Sequence, residues 1–343
     1  MNPASLDTSA SSRLNLARTP TPLEFLPKIS REMGVEIYIK RDDLTGMELS
    51  GNKIRKLEFI MADALKSGAD TVVTCGGAQS NHARATAIAA AKLSLDCRLI
   101  LRTADPSAPP APTGNILLNC MAGAQIVWIT PEEYRRRKNI FQREEKRLRQ
   151  QGRTPYSIPE GASNALEAWG YIRAMAELAR DISRLPEGHA RRTTIVVATG
   201  SGGTTAGLIL GTRLLDLNAR IAAVNVCDDR DYFLEVIGTI CDTAITTYGL
   251  DIPFERERDI DIVDGYVGRG YALSRPEEMA LIIDIARREG LFLDPVYTGK
   301  AFYGMIQELK RDPCCFGERI IFIHTGGLFG LFPQAGEMTP LLS

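Results

Sequence analysis

Lys53 closes the run Ser50-Gly51-Asn52-Lys53 and opens a stretch in which Ile54, Leu57, Ile60, Met61, Ala64 and Leu65 recur at helical spacing. The positive end of a helix disfavours an ammonium and lowers its pKa. A partly neutral lysine can form a Schiff base. From spacing alone, a surface lysine is the simpler reading. A second run, Thr199-Gly200-Ser201-Gly202-Gly203-Thr204-Thr205, follows a β-branched segment at 194–198 and precedes a helix that begins near Ala206. Its glycines let backbone approach a ligand, and helix-start N–H groups attract an anion, so the run reads as a phosphate cradle or as a plain tight turn. It is not a Walker loop, because no Gly-Lys-Ser/Thr follows. Nor is it the dinucleotide fingerprint, because Thr205 stands where the third glycine belongs.

Two more segments carry polar groups at the mouth of a helix. In Gly76-Gly77-Ala78-Gln79-Ser80-Asn81-His82, Ser80 suits a helix cap or a catalytic hydroxyl, and Asn81 can donate to a phenolic oxygen. In Asp294-Pro295-Val296-Tyr297-Thr298-Gly299-Lys300, the Thr298 hydroxyl is placed to meet a ring nitrogen. Lys300 is a second candidate amine, although a surface lysine is its simpler role. No Ser–His–Asp set and no Gly-x-Ser-x-Gly elbow can be assembled.

These segments need strands behind them and helices after them. Strands are expected at 35–40, 71–74, 97–101, 126–129, 194–198, 221–226 and 319–323. Helices are expected from Ile54 and at 83–93, with a proline-rich loop at 104–112 and no internal repeat. Such alternation predicts an α/β protein with parallel sheets covered on both faces. Ligands of such sheets bind at the carboxyl ends of strands, so the four polar turns should converge on one crevice.

Composition excludes much else. A chain of 343 residues, 44% hydrophobic and 24% charged, is an ordinary globular protein of about two domains. It has no apolar run long enough to span a membrane. Its net charge of -1 gives no global attraction to nucleic acid or to an anionic membrane surface. Seven cysteines without a Cys-x-x-Cys pair do not make a disulfide framework, and three scattered histidines do not make a zinc site. Residues 1–22 lack a signal-peptide core and read as a mobile arm of a cytosolic protein. Arg13 and Arg18 raise a transit peptide as the alternative, against Asp7. The basic stretch 132–155 reads as a solvated helix face rather than a nucleic-acid patch, because glutamates interleave at helical spacing and no aromatic platform accompanies them.

Taken in order, eight segments resemble the pyridoxal-phosphate enzymes of fold type II, specifically the D-cysteine desulfhydrase / 1-aminocyclopropane-1-carboxylate deaminase family. They are Arg18-Thr19-Pro20-Thr21-Pro22, Lys40-Arg41-Asp42-Asp43-Leu44, residues 50–58, Gln79-Ser80-Asn81-His82, Ile158-Pro159-Glu160-Gly161-Ala162-Ser163-Asn164, residues 200–207, residues 294–300 and His324-Thr325-Gly326-Gly327. The resemblance implies a tryptophan-synthase-β-like fold of two open three-layer domains. The large one is discontinuous (1–56 and 164–343), and a small α/β domain (57–163) is inserted in it. Pyridoxal 5'-phosphate would lie between them, and the chain would be a homodimer. By position, Lys53 resembles the Schiff-base lysine and Lys56 a phosphate contact. Thr199, Gly200, Ser201, Gly202, Gly203 and Thr204 resemble the phosphate loop. Asn81 resembles the partner of the ring oxygen, and Thr298 that of the ring nitrogen. Ser80, Asn81, His82, Tyr271 and Tyr297 resemble the residues around a small amino-acid substrate, with Ser80, Tyr271 and Tyr297 catalytic alongside Lys53.

Deaminases of this family usually carry glutamate where this chain has Thr298, and glutamine where it has His82. A carboxylate keeps the pyridine nitrogen protonated and makes a strong electron sink, which ring opening needs more than loss of a good leaving group does. The resemblance therefore implies elimination of D-cysteine to pyruvate, sulfide and ammonia. Deamination of 1-aminocyclopropane-1-carboxylate and release of sulfite from L-cysteate are alternatives. Outside enzymology, the alternative is a non-catalytic phosphate- or nucleotide-binding protein.

Overall fold

The computed structural model describes residues 12–342. Two sheets form its layers. The larger joins β1 (Leu23–Phe25), β2 (Glu36–Lys40), β7 (Thr193–Thr199), β8 (Ala219–Asn225), β9 (Asp261–Val263) and β10 (Arg319–Ile323) in the order β1-β2-β10-β7-β8-β9. Every neighbouring pair is parallel except β1 with β2. The smaller joins β3 (Thr71–Gly77), β4 (Asp96–Arg102), β5 (Gln125–Ile129) and β6 (Pro155–Ser157) in the order β5-β4-β3-β6, all parallel.

The period-two geometry of strands explains why both faces are covered. Ile195 and Val197 of β7 enter one core, with Tyr171, Met175 and Ile209. Val196 and Ala198 enter the other, with Phe302, Met305 and Phe322. On the first face, the helices Ala165–Ile182 and Gly203–Leu214 pack closely because Gly207 and Gly211 carry no side chain. A Cβ at either would stand 2.6 Å from that of Tyr171 or Met175.

All seven expected strands form, with ends that differ by up to three residues. β3 runs on through Gly76 and Gly77. The three unexpected strands, β1, β6 and β9, have three residues each, too few to display alternation. The expected domain boundary at residue 57 falls within an unbroken helix, Lys53–Lys66. Its Leu57 and Ile60 enter the core of the smaller sheet and its Phe59 that of the larger, so the two layers share an element.

The N-terminal arm differs from its expectation. Residues 1–11 lie outside the described residues, but from Leu14 the chain is tied down. Leu14 N donates to Glu58 O, Leu16 N and Ala17 N each donate to Glu58 Oε1 at 2.8 Å, and Arg18 N donates to Thr45 O. All seven cysteines are free thiols. Among the described residues no helix is long and apolar enough to cross a membrane, and no side-chain cluster suits a metal ion.

Candidate active site

A cavity of about 1120 Å³ opens where strands of both sheets end. The last residues of β3, β4, β6 and β7 line it, as do the turns that follow β3 and β7. This is the crevice that parallel sheets create at their carboxyl edges. Lys53, Ser80, Asn81, His82, Thr199, Gly200, Ser201, Gly202, Thr204, Tyr271 and Tyr297 are all on its wall.

Lys53 Nζ donates to Gly161 O at 3.1 Å. Burial lowers its pKa to about 8, against the opposing pull of Glu167 and Glu160. Burial, rather than the helix end, is thus the main cause of the shift. Lys56 lies behind the wall. Its Nζ donates to Ser163 Oγ at 3.1 Å, and that hydroxyl donates to Ser201 Oγ at 2.8 Å. Burial and then repulsion from Lys53 push the Lys56 amine well below the usual lysine range. Beneath both amines, burial raises the Glu167 carboxyl to about 8. The Lys53 value has a testable consequence. Chemical modification of the cofactor-free amine by a small aldehyde with borohydride should gain about tenfold per pH unit up to 8 and then level off. A midpoint near 10 would place Lys53 in water.

Within the glycine run Gly202 sits at φ +79°, and the helix Gly203–Leu214 begins directly after it without a side-chain cap. Among the described residues no acceptor takes the backbone N–H of Ser201, Gly202, Gly203 or Thr204. A Cβ on Gly203 would stand 2.9 Å from Lys56 Nζ and 2.7 Å from Ser163 Oγ. The loop is therefore a cradle of free N–H groups backed by an amine, which is the donor set an anion needs. Asn52 steadies it by donating from Nδ2 to Thr204 Oγ1 at 3.0 Å.

Ser80 does cap the helix Asn81–Lys92, its Oγ accepting from Ala83 N at 3.1 Å, which leaves the hydroxyl proton free. Asn81 Oδ1 accepts from Asn115 Nδ2 at 2.9 Å, so its amide NH2 is the end left for a ligand. His82 is held neutral. Thr74 Oγ1 gives its proton to Ile158 O and so accepts from His82 Nε2 at 2.8 Å, while burial drives the imidazole pKa well down. Tyr271 and Tyr297 share a hydroxyl–hydroxyl hydrogen bond of 2.9 Å. Burial raises both phenols, with Arg102 partly offsetting the effect at Tyr271.

Two expectations change. Lys300 is buried rather than on the surface. Its Nζ donates to Val267 O and Gly270 O, bracing the turn before Tyr271, and it does not line the cavity. Thr298 also lies off the cavity wall. Its hydroxyl gives its single proton to Asp294 Oδ1 at 2.7 Å and accepts from Asp294 N, so no proton is left for a ring nitrogen. The threonine on the wall is Thr325, whose hydroxyl has no partner among the described residues. It sits in the quoted segment His324–Gly327, where no role had been attached to it. Gly161 and Ser163 likewise sit in a quoted segment without a role. Arg102, one residue beyond an expected strand, was missed. So was Tyr134, which donates to Glu160 Oε1 at 2.5 Å. Part of the basic stretch also faces inward. Arg135, Arg137 and Lys138 line the cavity mouth, and with Lys53 and Arg102 they confront only the carboxylates of Glu160 and Asp228. This wall favours anionic ligands.

Comparison with known proteins agrees with this geometry. The profile of the family described as "Pyridoxal-phosphate dependent enzyme" matches residues 14–326. The chain is 44% identical over 333 residues to the Arabidopsis thaliana protein named bifunctional D-cysteine desulfhydrase/1-aminocyclopropane-1-carboxylate deaminase, mitochondrial, covering 96% of this chain and 81% of that one. It is 40% identical over 327 residues to D-cysteine desulfhydrase of Yersinia pestis, covering 94% and 96%. Among solved structures it is similar to an ACC deaminase homologue, with a TM-score of 0.88, 36% identity and 97% of each chain covered.

Proposed function

The chain belongs to the family of pyridoxal-phosphate-dependent enzymes, and on that premise we propose that it is a lyase that eliminates sulfide from D-cysteine, leaving pyruvate and ammonia. Its cofactor is pyridoxal 5'-phosphate and its fold is the type II arrangement. The residues present fit that cofactor. The free N–H groups of Ser201 to Thr204, with Lys56 behind them, would hold its phosphate. The Asn81 amide would meet its ring oxygen, the unpartnered Thr325 hydroxyl would face its ring nitrogen, and the Lys53 amine would hold its carbonyl carbon. When bound, pyridoxal phosphate supplies an electron sink for the pair left at the α-carbon of the substrate.

The residues of the chain do the rest. Lys53, with an amine near 8, is partly neutral close to physiological pH and is the general base for the α-proton. Ser80 offers its free hydroxyl proton to the substrate carboxylate. The Tyr271–Tyr297 pair, kept protonated by burial, has one hydroxyl proton beyond its mutual bond and donates it to the departing sulfur. His82, neutral and bonded to Thr74, fills the wall beside Ser80 and carries no charge of its own. A hydroxyl at the ring nitrogen, where a carboxylate would strengthen the sink, favours loss of a good leaving group over ring opening. Residues 57–163 would form the smaller domain, and the protein would be a homodimer of the cytosol.

The observation that carries this reading is the buried Lys53 amine beside an uncapped loop of free N–H groups. The test assays D-cysteine, L-cysteine, L-cysteate and 1-aminocyclopropane-1-carboxylate side by side for sulfide, sulfite and oxoacid. Yellow protein that releases sulfide from D-cysteine faster than it forms 2-oxobutanoate from the cyclopropane is the expected result. Protein that stays colourless after reconstitution would favour the phosphate-binding alternative.

A further inference from the structure

We propose that Lys300 is a positioning residue for the departing group: from behind the site it holds the Tyr271 hydroxyl where the tyrosine pair can protonate a leaving thiol. This rests on the lyase reading above and separates two classes of leaving group within it.

Lys300 is fully buried and does not line the cavity. It lies in the first turn of the helix Thr298–Arg311, three residues after Tyr297. Its Nζ donates to Val267 O at 2.7 Å and to Gly270 O at 2.6 Å, and Tyr271 follows Gly270 directly. One side chain thus ties the helix that begins after Tyr297 to the turn that carries Tyr271. On the cavity side of this tie the two hydroxyls meet at 2.9 Å.

The turn depends on the tie. Residues 264–274 contain no helix or strand. Gly270 and Ala272, on either side of Tyr271, have φ of +124° and +60°. An alanine in the left-handed region stays there only when its surroundings fix it. The turn's own backbone bonds are long: 3.4 Å from Gly270 N to Val267 O, 3.3 Å from Arg269 N to Leu273 O and 3.1 Å from Leu273 N to Gly270 O. The two Lys300 bonds are shorter and take the same carbonyls, Val267 O and Gly270 O. Ser274 Oγ ties the far end of the turn to Pro295 O at 2.6 Å. Tyr297 is fixed separately, because its N–H donates to Asp294 Oδ2 at 3.0 Å. Tyr271 is therefore the member of the pair whose place Lys300 sets.

In the elimination, the Cβ–S bond breaks with its electron pair on sulfur. The spare hydroxyl proton of the pair moves to that sulfur, and water returns a proton to the phenolate. A chloride on the same carbon leaves as the anion of a strong acid and needs no such proton. Lys53 takes the α-proton in either case, and no oxidant or reductant enters. A displaced Tyr271 therefore slows loss of thiol and spares loss of chloride.

The test compares wild-type holoenzyme with Lys300→Met, Tyr271→Phe and the double variant. It measures sulfide from D-cysteine, chloride from 3-chloro-D-alanine, and exchange of the α-proton of D-alanine in deuterium oxide. Lys300→Met keeps the bulk of the side chain without its donors. It should lower kcat about thirtyfold on D-cysteine and less than about threefold on 3-chloro-D-alanine, with α-proton exchange retained. In the Tyr271→Phe background the same change should cost less than about twofold, because no hydroxyl remains on the turn to be placed. Equal losses on both substrates, or loss of exchange, overturn the proposal, since Lys300 would then merely support the whole site. A further large drop in the double variant overturns it as well. If Lys300→Met does not fold, Lys300→Gln, whose amide keeps N–H donors on a shorter arm, should show a smaller loss with the same asymmetry, and a symmetric loss overturns the proposal. Unimpaired sulfide release by Lys300→Met overturns it while the lyase reading stands. Wild-type protein that turns over neither substrate removes the lyase reading, and the proposal with it.

Discussion

Lys53→Ala should lower sulfide release from D-cysteine by about a thousandfold or more, since a positioned general base alone contributes roughly 10²–10⁴-fold and the same amine would hold the cofactor. The substitution should leave the fold intact. Lys53 Nζ makes one hydrogen bond, to Gly161 O, and its amine is depressed to about 8 because burial disfavours the ammonium. Truncation therefore removes an unfavourable buried charge rather than a supporting contact. Lys56 cannot take over from behind the wall, where its amine is engaged with Ser163, and Lys300 is bound to two carbonyls. Three measurements check this: sulfide release, the thermal transition, and the residue fixed by borohydride in the wild-type protein. A variant that keeps a tenth of its turnover, or a tether mapped elsewhere, would remove Lys53 from the mechanism.

Arg55→Ala should destabilise the protein by about 3–5 kcal/mol, the usual consequence of leaving buried charges unpaired. Arg55 lies two residues beyond Lys53 and anchors the helix both belong to. Its guanidinium meets Asp42 at 2.8 and 2.9 Å and Glu177 at 3.0 Å, Lys40 reaches Glu177 at 2.6 Å, and Tyr171 donates to Asp42 at 2.6 Å. Burial pushes the Glu177 carboxyl up, but Arg55 and Lys40 outweigh it and hold the pKa at about 2, below its ordinary 4.5. A carboxyl depressed by folding stabilises the native state fully above its unfolded pKa, and this contribution is lost as pH falls towards the folded value. The share due to Glu177 is therefore present above about pH 4.5 and fades towards pH 2. Without Arg55 the folded pKa rises, so acid unfolding should begin at higher pH, and the denaturant midpoint should drop at neutral pH. An unchanged acid midpoint would contradict this account of the network.

How much of this was legible in the chain varied with the range of the interaction. Seven strands were legible because buried parallel strands are continuous β-branched and apolar runs, which local order reveals. The phosphate cradle was legible because glycines between a strand and a helix have a local cause. Lys53 was placed at its helix start, but the reason for its pKa was not, because the burial that lowers it, beside Gly161, and the opposing pull of Glu167 both come from residues more than a hundred positions away. Arg102, one residue beyond an expected strand, gave no local signal, because the Tyr134 and Tyr271 rings that lie 4.6 and 4.8 Å from its guanidinium are brought to it only by the fold. Thr298 and Thr325 are alike as sequence, each a threonine in a glycine-bearing turn. Asp294, folded back over the helix start, takes the proton of the first, while the second remains open to the cavity. Local periodicity and backbone chemistry thus determined the elements and the kinds of group at their ends. Which of those groups meet, and which are left unpaired, was decided only by packing two sheets around one crevice, because hydrogen bonds and desolvation act across space rather than along the chain.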